Sequence, residues 1–181
     1  MVFGWNKKKS EKEREGSTRE ITLGQIEVIL SDIKGAKQKQ AINNTRPLFS
    51  NVQTELGSIL KIIDHLSNDN LKVDDIDNQL KVIVTRSKTE IINTVSKEAK
   101  VQIPQLDTFD DVKKASEIAS QALKKIGDVL GKNSRVIHVF AKKYALDLKN
   151  HLAEISTSSA SISRLINNYE KLESDASLIK E

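Results

Sequence analysis

The sequence predicts an all-α protein: an elongated helical bundle of about five helices with a long C-terminal coiled-coil helix. Three observations predict it. The first is a seam of apolar and small residues at alternating steps of four and three. It runs Ile137, Ala141, Tyr144, Leu148, His151, Ile155, Ser158, Ile162, Leu165, Tyr169, Leu172, Ala176 and Ile179, with no Gly or Pro inside it. That repeat keeps one stripe of a helix facing a neighbour along its whole length. The second is composition: aromatics are 4% and prolines number two, against 38% hydrophobic and 30% charged residues. Few aromatics and few breakers suit long helices better than sheets. The third is a series of helix-start signals, each followed by apolar residues at helical spacing.

Residues 1–19 read as a basic and aromatic N-terminal tip with a linker, and 20–181 as the bundle. The tip is Met1-Val2-Phe3-Gly4-Trp5 followed by Asn6 and Lys7-Lys8-Lys9, and it holds the only Trp of the chain. An aromatic pair beside lysines suits a lipid–water interface, where the rings sit at headgroup level and each cation adds about 1 kcal/mol on anionic lipid. Phe3, Trp5, Lys7, Lys8 and Lys9 are therefore candidate membrane contacts. Packing of Phe3 and Trp5 onto the chain's own bundle, or onto a partner protein, stays open beside that reading.

The first helix has Thr22 as N-cap, Gln25 at the third helical position, and Ile21 with Ile26 spaced as a staple. Its apolar face takes Leu23, Ile26, either Ile29 or Leu30, and Ile33, with Ala36 as a further candidate. Asn43-Asn44-Thr45-Arg46-Pro47 predicts a break or kink, since a proline disfavours helix in the residue before it. A second helix carries Leu48, Val52, Leu56, either Ile59 or Leu60, Ile63 and Leu66, with His65 in its last turn, where a basic group suits the helix dipole. A third starts at Asp74 or Asp75 and carries Ile76, Leu80, Ile83, Val84, Ile91, Ile92 and Val95. Its segment Leu80 to Thr85 is β-branched enough for a strand, but the length of the pattern favours helix.

Val101-Gln102-Ile103-Pro104 predicts an extended loop. Thr108 caps a fourth helix with Asp110 and Asp111 in its first turn. Its seam is Val112, Ala115, Ala119, Ala122, Ile126 and Val129, thin enough for close helix approach. Leu130-Gly131 reads as a C-cap. The last helix, 134–181, then returns antiparallel to the fourth. The stretch Ser156–Ser163 is a candidate bend or close crossing. Ile179-Lys180-Glu181 ends the seam without a stop signal, which predicts that the helix continues past it.

No chemistry of catalysis stands out, and the chain reads as a non-enzyme. Cysteine is absent, which excludes a disulfide framework and thiolate metal sites. The three His are not at metal spacing: His138 and His151 are 13 apart on different helix faces. His151 lies on the seam, where a polar residue sets register. Neither phosphate-binding glycine motif nor nucleophile elbow occurs, and Asp74, Asp75 and Asp77 lack the glycine and terminal Glu of a calcium loop. No cofactor, metal or small-molecule substrate is expected.

Two further surfaces are predicted. Leu148, Ile155, Ile162, Leu165 and Leu172 are the seam residues expected to take a partner helix or a second copy. Lys124, Lys125, Lys132, Arg135, Lys142 and Lys143 gather near the fourth-to-fifth helix turn against the single acid Asp128. Their excess of five positive charges exceeds the +4 of the whole chain. Such a cluster suits lipid headgroups or nucleic-acid phosphates, though it is also what a solvated helix tip looks like. No apolar run reaches the ~20 residues that span a bilayer. The location this implies is the cytoplasm, with the inner face of the membrane as the surface the tip would touch.

The opening Met1-Val2-Phe3-Gly4-Trp5 before lysines resembles the N-terminal tips of membrane-remodelling filament subunits of the endosomal sorting machinery. That resemblance, over about nine residues, implies a tip that inserts into bilayers and a body built on a helical hairpin. The remainder departs from it: Pro47 and Pro104 divide the chain where that family has one long basic hairpin. The chain as a whole also resembles uncharacterised archaeal coiled-coil proteins, which implies no activity. The expected function is a structural scaffold, peripheral to membrane through the tip and self-associating or partner-binding through the seam. The alternative is a nucleic-acid-associated structural protein using the basic turn.

Overall fold

A chain with apolar residues at three- and four-residue steps can bury them only by laying helix against helix. The structure, a computed structural model, describes residues 23–68, 78–140 and 142–178. Of these, 93% are helical and none lies in a strand. The elements are α1 (Leu23–Asn68), α2 (Asn78–Ala99), α3 (Phe109–Lys132), α4 (Ser134–Phe140) and α5 (Lys142–Leu178). Helix α1 runs about 69 Å and α5 about 55 Å. The expected starts at Thr22 and at Asp74 or Asp75, and the end of the seam at Ile179, lie outside the described residues. The β-branched stretch Leu80 to Thr85 is helical, as its surroundings predicted.

Side-chain contacts fix the topology. Lys34 meets Glu173, Asn51 meets Ser158, Glu55 meets His151 and His65 stacks on Tyr144. Each step up α1 is matched by a step down α5, so the two lie antiparallel over nearly their whole length. Glu98 with Lys125 and Glu90 with Lys132 set α2 antiparallel to α3 in the same way. Lys113 with Glu170 near the start of α3, and Leu130 in one groove with Leu148 and Leu152 near its end, set α3 antiparallel to α5, and the Phe109 ring lies 4.1 Å from that of Tyr169. The result is an up-down-up-down four-helix body. From it the first turns of α1 and the last turns of α5 project as a two-helix extension.

The core is a column of branched residues. Val52, Leu56, Ile59 and Ile63 from α1, Ile91 and Val95 from α2, Val112 and Ile126 from α3, and Ile155 and Ile162 from α5 are all buried. Ala115, Ala119 and Ala122 are buried too, and their short side chains let neighbouring helices approach α3 closely. The irregular connection 101–107 is strapped along α1. Arg46 donates to the Leu106 carbonyl at 3.0 Å, Gln53 donates to the Val101 carbonyl at 3.3 Å, and the Ile103 N–H donates to Gln53 Oε1 at 3.2 Å.

The structure corrects two boundaries. Of the break or kink expected at 43–47, no break occurs: α1 runs through Pro47. Proline removes one N–H from the helix ladder. Here Thr45 Oγ1 donates to the Ile42 carbonyl at 2.9 Å, and Pro47 itself faces solvent. Ala41, Ile42, Phe49 and Val52 are buried on both sides of it, so packing holds the helix together where the local preference would end it. Nor does α3 end at Gly131. It runs to Lys132 and caps at Asn133, with φ −102°. The Asn133 side-chain amide donates to the Val129 carbonyl at 2.9 Å, satisfying a terminal acceptor without a left-handed glycine.

Thr108 caps α3 as expected, with Asp111 completing a capping box. The Asp111 N–H donates to Thr108 Oγ1 at 3.2 Å, and the Thr108 N–H donates back to the Asp111 carboxylate at 2.9 Å. Hydrogen bonds from the Thr108 hydroxyl and backbone hold the Asp111 carboxyl below its ordinary 3.8. A depressed carboxyl contributes stability above its unfolded value, lost as pH falls through the folded one. Thr108→Ala is expected to lower the melting temperature by about 2–4 °C at pH 7. That deficit narrows below pH 3.8, as thermal melts across pH would show.

Ser156–Ser163 is helical throughout, inside α5, with Ser158 and Ser159 buried. Ser158 is tied across to Asn51 at 2.9 Å. Ser159 is buried, and its hydroxyl has no hydrogen-bond partner among the described residues. An unpaired buried hydroxyl costs about 1–3 kcal/mol, and alanine is the better helix former. Ser159→Ala is therefore expected to raise the melting temperature by about 2–4 °C or more.

Candidate functional site

The predicted seam lies at the centre of the chain's own core. Leu148, Ile155 and Ile162 are buried against α1 and α3, and Tyr169 closes the row against Phe109. Leu165 is half-buried, and of the five seam residues only Leu172 is exposed. The helix that the heptad seeks is thus α1 of the same chain, which the predicted break at Pro47 hid. His151 sits where α1 and α5 meet, its Nδ1 2.5 Å from Glu55 Oε2. It pins the register of the two longest helices. His65 stacks on Tyr144 at the other end of the same interface, a contact that helix-end reasoning did not find. His138 is exposed. Among the described residues no three His, Asp or Glu gather as a metal site.

The basic residues fall into two sets. Lys125 lies 3.2 Å from Glu98, and Lys132 lies 2.9 Å from Glu90. The Lys132 ammonium holds the Glu90 carboxyl below its ordinary value. Lys143 covers the Tyr144 ring at 5.0 Å. Lys124, Arg135 and Lys142 remain exposed and form no ion pair among the described residues. The two acids of α2 come from a separate stretch of sequence, so the cluster seemed more cationic in sequence than it is in space. Its surplus falls from five to three.

The extension carries one exposed apolar surface that spans two helices. Ile26, Ile29 and Ile33 on α1 and Leu172 on α5 are exposed, Ile33 and Leu172 both at 51%. They are spaced about one helical turn apart and lie on one flank. Between the helices runs a groove of about 260 Å³, lined by Leu30, Ile33, Tyr169 and Leu172 with Lys34 and Glu173. Lys34 and Glu173 pair at 2.9 Å, and the Tyr169 hydroxyl donates to Glu173 at 3.2 Å. The lysine holds the Glu173 carboxyl below its ordinary value. Burial, with that carboxylate beside it, pushes the Tyr169 phenol up to about 12. The groove floor is therefore a neutral aromatic ring at physiological pH. Leu80, Val82 and Ile83 form a second exposed apolar set, at the start of α2.

Phe3, Trp5, Lys7, Lys8 and Lys9 lie outside the described residues. Among the described helices, none is long and apolar enough to cross a membrane. In comparisons with protein-family models, curated proteins and solved structures, nothing matches this chain.

Proposed function

We propose that this chain is a non-enzymatic structural protein that works through helix-face contacts. It touches an anionic membrane surface peripherally with Phe3, Trp5 and Lys7–Lys9. It self-associates or takes a partner helix on the outer flank of the α1–α5 extension. The observation that carries the reading is that flank: Ile26, Ile29, Ile33 and Leu172 stand exposed on two helices, with no third helix over them among the described residues. Contiguous exposed apolar surface on a folded chain marks an interaction site. The membrane half rests on the sequence of the tip, whose rings and lysines fit an interface.

Co-sedimentation with anionic and neutral liposomes tests it, comparing the intact chain with one lacking residues 1–9. The expected result is binding that needs both anionic lipid and the tip. Binding unchanged without the tip, or none by either chain, would remove the membrane half. A nucleic-acid-associated role is the second reading, favoured by the exposed Lys124, Arg135 and Lys142.

A further inference from the structure

The groove of the extension has an occupant within reach. Helix α1 starts at Leu23, and Ile33 lies about 15 Å further along it. Seventeen residues, Asn6 to Thr22, separate Trp5 from that start. A segment of this length spans about 23 Å r.m.s. if coiled and at most about 56 Å if extended, so the groove lies within its range. A tether of matched length also gives its end an effective concentration on the order of millimolar. That suffices for a contact of two aromatic rings.

Shape and chemistry fit as well. A benzene ring fills a cavity of about 150 Å³, so a groove of about 260 Å³ admits an indole. It lies below the ~300–1,000 Å³ of small-molecule sites. Its floor is the Tyr169 ring, which suits edge or offset contact with another aromatic. Its α5 rim carries Glu173 and, exposed without an ion-pair partner among the described residues, Asp175. These acids are opposite in charge to the three lysines that follow Trp5 in the sequence. The cations Lys34 and Lys37 lie on the α1 rim, so the charges orient the segment rather than drive it in.

We infer that Phe3 and Trp5 of the N-terminal tip seat in the groove between α1 and α5 of their own chain. The seated tip covers Ile33 and Leu172 and leaves Ile26 and Ile29 of the flank exposed to a partner. This goes beyond the membrane reading and does not depend on it.

Trp5 is the only Trp, so intrinsic fluorescence reports the tip alone. In dilute lipid-free solution the full chain is expected to emit at shorter wavelength than in 8 M urea, on the order of 10 nm, with quenching by acrylamide reduced several-fold. Ile33→Glu with Leu172→Glu is expected to return both to the urea values while circular dichroism keeps the helix signal. Both residues are half exposed, so the fold does not need them. Solvent-like emission from the folded wild type would overturn the inference, and so would emission that ignores the two substitutions. Protection lost on dilution, in step with a dimer's mass, would also overturn it in favour of a second copy in the groove. Vesicles of phosphatidylserine and phosphatidylcholine separate this from the membrane reading. Trp5 protected in buffer but indifferent to vesicles keeps the seat and removes the membrane contact. Trp5 solvated in buffer but shifted by vesicles does the reverse.

Discussion

Ile155→Ala combined with Ile162→Ala is expected to remove about 4–10 kcal/mol of folding stability. Each side chain is fully buried, and each truncation leaves a cavity lined by residues of other helices. Such changes cost about 2–5 kcal/mol apiece. The two lie seven residues apart on α5, about 10 Å, far enough for their effects to add approximately. A domain of this size has about 5–15 kcal/mol in total, so the double variant sits near the edge of unfolding at 25 °C. Leu172→Ala is the control. Its side chain is half exposed on the same helix, and its effect is expected within about 0.5 kcal/mol. Urea titrations followed by far-ultraviolet circular dichroism measure all three. If the seam served a second copy instead, the double variant would keep its midpoint and lose only mass in solution. That outcome would refute the intramolecular packing of α5 on α1.

The helical class and the α5 stripe were legible because periodicity is a local signal. So was the start of α3, where Thr108 and Asp111 satisfy each other across three residues of sequence. What α5 packs against was not legible. That partner is α1, far earlier in the chain, and it qualifies only as one uninterrupted helix. Pro47 argues locally against continuity, and the burial of Ile42 and Phe49 on either side overrules it. The cap at Asn133 was missed for a related reason. Gly131 signals an end, but helix continues at a glycine when the next polar side chain can reach back to the Val129 carbonyl. For the candidate sites, exposure decided what sequence left open. The seam pattern treats Ile155 and Leu172 as equivalent, and only the ending of the four-helix body beside Tyr169 separates them.

Lys125→Glu is expected to lower the melting temperature by about 5–10 °C, an effect that belongs to the fold and not to any ligand. Lys125 Nζ lies 3.2 Å from both carboxylate oxygens of Glu98. The Glu98 side chain is only 9% exposed, whereas that of Lys125 is 54% exposed. Removing the cation leaves a nearly buried carboxylate unpaired, and reversal sets a second carboxylate against it. Unscreened, two charges 4 Å apart interact by about 4 kcal/mol near a protein surface. Solvent at Lys125 reduces this to about 2–3 kcal/mol, and each kcal/mol shifts a chain of this size by about 2–4 °C. Lys124→Glu, next in sequence but exposed and unpaired, is expected to leave the melting temperature within about 2 °C. The consequence is for the nucleic-acid reading. Reversing all four of Lys124, Lys125, Arg135 and Lys142 would weaken binding by damaging the α2–α3 contact, whatever the tip binds. Reversal at Lys124, Arg135 and Lys142 alone keeps the fold. If phosphates sit there, it lowers the slope of log affinity against log salt by about three. A slope that does not change, in a variant whose melting temperature has also not changed, would show that the basic tip holds no nucleic acid.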